Sequence, residues 1–177
     1  LLTSEVDRFA RMVVDLLEIS RADQQADDTD LEVIDLASLV DNVLDSRPAT
    51  EVPVRTSPPG PRVLGDRRRL DRVVNNLLDN AERHAGGPVR VAVTSRDGHA
   101  RLEVDDTGPG VPPELRHRVF HRFDRGNRAG SRGTDTGSGL GLALVAQHVH
   151  RHHGEVWVED RPGGGARFVV EIPETER

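Results

Sequence analysis

The chain has 177 residues, enough for one sizeable core or one domain with an appendage, and its formal net charge is −6. That balance excludes a general electrostatic attraction to nucleic acid or to an anionic membrane. Cysteine is absent, which excludes disulfides and thiolate chemistry; no signal peptide is evident, and no apolar run approaches the ~18 residues of a membrane span. Lysine is absent too, so any cation that contacts phosphate must be Arg or His.

Leu2, Val6, Phe9, Val13, Leu16 and Ser20 alternate by four and three. This heptad seam predicts a helix that packs on another helix. The pattern is under way at Leu1, so the chain reads as a piece of a longer one. ADQQADDTD (22–30) is polar and reads as a linker. Val33-Ile34 starts a strand and LASLVDNVLD (36–45) predicts a helix. Residues 46–61, rich in Pro, Ser and Thr, leave room for short strands only, at 52–56 and then 62–64. Asp66 is a natural N-cap for a helix through His84. Its apolar face is Leu70, Val73, Val74, Leu77, Leu78 and Ala81. PVRVAVTSRDGHARLEVDD (88–106) alternates on both sides of Asp97-Gly98 and predicts a hairpin. Residues 107–139 form a long glycine-rich loop with a short apolar patch at Val119, Phe120 and Phe123. A loop of that length is usually functional. LGLALVAQHVHRHH (140–153) reads as a helix, followed by strands GEVWVED and ARFVVEI across a Pro-Gly turn. Strands in pairs between helices predict an α+β fold, with one sheet covered by helices on one face.

Three features carry chemistry. Asn76 and Asn80 lie one turn apart beside the apolar face, and Arg83 and His84 continue the row. Asn is a mediocre helix former. An amide oxygen is a neutral hard ligand for Mg²⁺, and amide, Arg and His nitrogens can donate to phosphate. DDTGPG (105–110) ends a strand with a carboxylate able to accept from an exocyclic amine. Its glycines admit close approach of a flat ring. Gly137, Gly139 and Gly141 run into a helix N-terminus, which offers amide donors and a favourable dipole to phosphate. Their spacing is neither the dinucleotide-binding fingerprint nor a P-loop.

Taken in order, N-x-x-x-N on a helix, D-x-G-x-G after a strand, a long loop and G-x-G-x-G resemble the ATP-binding domain shared by sensor histidine kinases, type II topoisomerases, MutL proteins and the ninety-kilodalton heat-shock chaperones. Within that group the details are similar to bacterial histidine kinases. NNLLDNAERHA (75–85) resembles their N box, DDTGPGVP (105–112) the first glycine box, VFHRFDRG (119–126) the F box and GSGLGLALV (137–145) the second glycine box. VDRFARMVVDLLEISRAD (6–23) is similar to the second helix of the dimerising hairpin.

The resemblance implies a two-layer α/β sandwich, with a mixed five-stranded sheet and about three helices on one face. It divides the chain into a hairpin remnant (1–24), a linker (25–31) and a catalytic ATP-binding domain (32–177). Asn80 would ligate Mg²⁺, while Asn76 and Arg83 would contact phosphates or ordered water and form the catalytic pair. His84 would lie by the phosphates or ribose. Asp106 would take the adenine amino group, with Gly108 and Gly110 shaping its pocket. Gly137, Ser138, Gly139, Leu140 and Gly141 would follow the phosphates. Phe120 and Phe123 would anchor a lid over roughly residues 112–136, whose cations Arg122, Arg125 and Arg128 face the γ-phosphate or solvent. The implied reaction is transfer of the ATP γ-phosphoryl to a histidine, then to a response regulator. The implied partners are the chain's own dimerisation domain in a full-length homodimer and that regulator, with no nucleic acid. The piece by itself is compatible with a monomer. The implied location is the cytoplasmic side of a membrane sensor.

None of the eight histidines is followed by the Glu/Asp-Leu-Arg context of a phosphoacceptor, so that motif is expected upstream of Leu1. Two rival enzymes share the fold. The topoisomerase and MutL groups use a Glu to activate water where this chain has Asn76. Anti-sigma-factor Ser kinases lack a hairpin helix. A third reading is a nucleotide-binding regulatory module without catalysis. His148 and His152, one turn apart, raise a metal site. No Cys or placed carboxylate completes one, and histidines at a helix C-terminus have a structural or solvated reading as well.

Overall fold

The computed structural model describes residues 13, 30–47, 54–56, 60–122 and 139–175, with residues 54–56 as backbone only. Of the heptad helix, Val13 alone falls in that range, helical and exposed. The remainder of that helix, and the linker as far as Thr29, lie outside the described residues. Strand β1 is Glu32–Asp35, helix α1 Leu36–Asp45, β2 Val54–Thr56, β3 Arg62–Gly65, α2 Arg67–Ala85, β4 Pro88–Arg96, β5 His99–Asp106, α3 Gly141–Arg151, β6 Glu155–Asp160 and β7 Ala166–Pro173.

The helices start and stop where side chains satisfy their end groups. Asp35 caps α1 by accepting from the Ser38 N–H at 2.8 Å. Asp66 caps α2 through the N–H groups of Arg68 and Arg69, at 2.9 and 3.2 Å. Gly86, at φ 75°, closes α2 in the left-handed conformation, and the Gly86 and Gly87 N–H groups return to Glu82 and Ala81. Arg83 and His84 in that last turn also suit the helix dipole. All six apolar residues expected on the face of α2 are buried. Burying Leu70, Leu77 and Leu78 contributes about 2 kcal/mol each. Three Asn residues in the same helix cost about 0.6 kcal/mol each relative to Ala. Packing therefore outweighs propensity, and the amides are tolerated.

The main sheet has strand order β2-β4-β5-β7-β6. β2 runs parallel to β4 and every other pair is antiparallel, which makes it the expected mixed five-stranded sheet. Asp97 and Gly98 both have positive φ, as a two-residue type I′ hairpin turn requires. The inner face (Val91, Val93, Leu102, Val104, Phe168, Val170) packs with α1, α2 and α3 into one apolar cluster.

Three features depart from the sequence expectation. β1 and β3 form a separate two-stranded sheet, with Val33 opposite Leu64 and both half exposed, so there are two sheets among the described residues. The loop after β5 holds 3₁₀ turns at Pro113–Leu115 and Arg118–Phe120. The last helix ends at Arg151, with His152 as its cap.

The outer face of the main sheet is ionic. Arg167 grips Asp105 through two nitrogens at 2.7 and 2.9 Å. Arg101 binds Glu103 and Glu171 and lies 5.1 Å from the Trp157 ring centre. The bonds to Asp105 hold the Arg167 guanidinium above its ordinary range. Burial alone would lift Glu103, but hydrogen bonds from Arg90 and Arg101 overcome it and keep the carboxylate below the usual range. Among the described residues no helix is long and apolar enough to cross a membrane.

Candidate functional site

Helix α2 carries three asparagines, and the fold assigns them different work. The Asn75 amide donates to the Asp71 carbonyl at 2.8 Å and accepts from Arg47 at 3.1 Å. Arg47, just past the end of α1, also binds Asp79 at 2.5 Å and Glu82 at 2.8 Å. Asn75 thus belongs to a clasp between α1 and α2. Asn76 and Asn80, half buried, hydrogen-bond to no other described side chain. Among the described residues, nothing takes up their side-chain donors and acceptors. Arg83 and His84 are exposed one turn further on.

The start of α3 abuts this row. A Cβ on Gly141 would lie 3.3 Å from Asn76 Oδ1, so this last glycine of the second glycine motif sits directly against the first amide. Gly139 has φ 71° and leads the chain into α3. Leu140 is fully buried in a small cluster with Leu144, so its side chain faces the core and not the site.

Asp106 closes the opposite side. Adjacent carboxylates of β5 point to opposite faces of the sheet. Asp105 is spent on Arg167 on the outer face. Asp106 is buried on the helix side, and its Oδ1 accepts from the Gly108 N–H at 2.8 Å and the Ala166 N–H at 3.2 Å. A Cβ on Gly108 would meet the His84 carbonyl oxygen at 3.0 Å and the Ala85 Cβ at 3.3 Å. The D-x-G-x-G turn is therefore pressed on the last turn of α2. Gly110, at φ 73°, turns the chain towards Gly165. Any side chain at Gly165 would overlap the Asp106 carbonyl oxygen.

Below the site, the Phe120 ring packs edge-on against Phe168 at 6.4 Å. Arg116 ties the first 3₁₀ turn down by donating to the Val111 carbonyl at 3.1 Å and to Asp160 at 2.6 Å. Sequence reasoning passed over Arg116 because its two partners lie on different elements. Arg122 is exposed and has a partner of its own. Phe123, Arg125, Arg128, Gly137 and Ser138 lie outside the described residues. The fold thus gathers Asn76, Asn80, Arg83, His84, Asp106, Gly108, Gly110 and Gly141 around the C-terminal half of α2. His148 and His152, by contrast, are buried between α2 and α3 and away from solvent. Both His152 ring nitrogens are engaged, which removes the metal reading at that residue.

Residues 65–176 match the model of the histidine kinase-, DNA gyrase B- and HSP90-like ATPase family. The chain belongs to that family. Among the relatives of this ATPase domain is the signal transduction histidine-protein kinase AfsQ2 of Streptomyces coelicolor, 35% identical over 98% of this chain and 32% of that protein. The solved mycobacterial sensor histidine kinase MprB is 35% identical over 81% of this chain and 97% of that structure, with a TM-score of 0.65. Full-length ShkA, solved in complex with AMPPNP, is 30% identical over 97% of this chain and 37% of that one, with a TM-score of 0.80. The chain spans about a third of the length of the curated relatives AfsQ2 and MprB. Within the ATPase family it carries an ATP-binding catalytic domain of the sensor histidine kinase type.

Proposed function

We propose that residues 32–177 form a catalytic domain that binds ATP with Mg²⁺ and transfers the γ-phosphoryl to a histidine on a dimerisation hairpin, for relay to a response regulator. Residues 1–24 are then the end of that hairpin, and 25–31 the linker. The parent protein would be a dimeric membrane sensor with this domain on its cytoplasmic side. The observation that carries the reading is the pair of unspent amides, Asn76 and Asn80, one turn apart and flanked by the start of α3. ShkA, solved with AMPPNP, supports ATP as the nucleotide.

The side chains fit these ligands. Asn80 offers a neutral oxygen of the kind Mg²⁺ accepts. Bound Mg²⁺ would supply charge neutralisation of the phosphates. Asn76 and Arg83 donate to phosphate oxygens, and the N-terminus of α3 adds backbone donors. Asp106 accepts from the adenine amine through the oxygen not held by Gly108 and Ala166. An amide at Asn76 cannot take a proton from water. That favours transfer to a protein group over hydrolysis and separates this site from relatives with Glu there.

Titration with a fluorescent ATP analogue tests the metal and nucleotide assignments together. Wild type is expected to bind about 10-fold more tightly with Mg²⁺ than without, and Asn80→Ala to lose that difference. No binding at millimolar analogue, or an unchanged Mg²⁺ dependence in Asn80→Ala, refutes the assignment. Transfer is read with γ-labelled ATP. The 177-residue polypeptide alone is expected to take up no acid-labile, alkali-stable label, because none of its histidines has the acceptor context. Formation of such a phosphohistidine on it would overturn this account of the reaction.

A further inference from the structure

The start of α3 lies by Asn76, midway along α2, and its end lies by Asp66 at the start of α2, so the two helices run in opposite directions. At one end Gly141 abuts Asn76. At the other, His152 meets the N-cap of α2. The Asp66 N–H donates to His152 Nε2 at 3.0 Å, and His152 Nδ1 lies 2.6 Å from the His148 carbonyl oxygen. The pair of bonds requires a neutral ring, with the proton on Nδ1 and a lone pair on Nε2. Only glycine at position 65 allows this approach, since a Cβ there would lie 2.7 Å from the imidazole Cδ2. The span from Asp66 to Asn76 is ten residues and that from Gly141 to His152 eleven, each about 15 Å of helix. The whole of α3, 11 residues, thus lies along the first half of the 19-residue α2, and the contacts at its two ends set one axial register.

We propose that His152 is a positioning residue for the nucleotide site: the neutral ring pins the register of α3 against α2, and its protonation releases that register and weakens nucleotide binding. The inference rests on the nucleotide reading of the Asn76 end. Protonation would replace the Nε2 acceptor with a donor that faces the Asp66 N–H. The groups around the ring set the balance. Burial disfavours the cation first, and Arg69 of α2 and His153 work in the same direction. The bond to the His148 carbonyl and the Asp66 carboxylate oppose them. His148, one turn back, faces Arg69 and Arg72 of α2 and Arg151 and His152 on its own side.

His152→Gln supplies a side-chain oxygen that accepts from Asp66 N–H without titrating. Dissociation constants for a fluorescent ADP analogue, measured from pH 8 to pH 5 for both proteins, test the proposal. The phosphate titration of the analogue is common to both and cancels in the ratio. The expected result is affinity for His152→Gln within twofold of wild type at pH 7.5, and a wild type at least fivefold weaker than the variant at pH 5. His152→Ala is expected to be about fivefold weaker than wild type at pH 7.5, with no extra loss in acid. Superimposable pH profiles for wild type and His152→Gln would overturn the role of His152 and leave the nucleotide reading standing. No binding by wild type at any pH would overturn both.

Discussion

Asp106→Asn is expected to weaken adenine-nucleotide binding about 100-fold while leaving the fold intact. The Asp106 Oδ1 holds the Gly108 and Ala166 N–H groups, and the amide oxygen of Asn can keep both bonds. The other atom changes from an acceptor to an N–H donor. Facing the adenine amine, it sets donor against donor. The loss combines a charge-assisted hydrogen bond with an unpaired buried donor, about 2–3 kcal/mol in total. The substitution should also change preference. Hypoxanthine carries an acceptor oxygen where adenine carries its amine, so the ratio of ADP to inosine diphosphate affinity should fall steeply in Asp106→Asn. Calorimetric titration of both nucleotides against both proteins measures this. An ADP affinity within threefold of wild type would remove Asp106 from the adenine site. Asp105→Asn is the matched control, since its carboxylate is spent on Arg167 at the outer face.

That contrast shows where the sequence was informative. Alternation along β5 placed Asp106 with Leu102 and Val104 on the helix side, and Asp105 with Arg101 and Glu103 on the other. The period-two pattern thus distinguishes the two adjacent carboxylates, although it was the family resemblance that singled out Asp106. Helix α2 was equally legible, because its six apolar residues follow one face and Asp66 marks its start. Asn75 was not. It sits one residue, or about 100°, from Asn76 on the same helix. What makes it structural is Arg47, 28 positions earlier and on another element. No local pattern carries such a pairing. The β1–β3 sheet was hidden for the same reason, as two four-residue strands meet across thirty residues of chain. Nor did composition reveal that the outer face would be an ion-pair lattice. Arg90, Arg101 and Arg167 alternate like any solvated strand residues until the strand order brings Glu103, Asp105 and Glu171 beside them.

The histidine-rich end of α3 combines a legible pattern with a consequence that needs the fold. His148 shares the helix face of Leu144, Val145 and Val149, so helical periodicity agrees with its inward position. The structure adds that it is 4% exposed and that neither ring nitrogen has a hydrogen-bond partner. Burial, reinforced by Arg69, Arg72, His152 and Arg151, pushes its imidazole from 6.5 down to about 4. Well above pH 6.5 the ring is neutral folded and unfolded, and its titration leaves stability unchanged. Between pH 6.5 and pH 4 the unfolded chain gains a proton that the folded chain does not, so stability falls as pH falls. The shift corresponds to about 3 kcal/mol by the time the folded ring titrates. A depressed carboxylate such as Glu103 acts in the same direction only at lower pH, where its unfolded form begins to protonate. The interval from pH 6.5 to pH 5 therefore isolates the buried imidazoles. His148→Leu should remove the His148 share of the slope in that interval, leaving the share of His152, and raise stability at pH 7.5 by about 1 kcal/mol, since it removes two unsatisfied buried nitrogens. Urea unfolding of wild type and His148→Leu at pH 7.5 and pH 5 measures both effects. Equal losses of stability in the two proteins would mean that His148 is hydrated or paired in solution, contrary to the packing between α2 and α3.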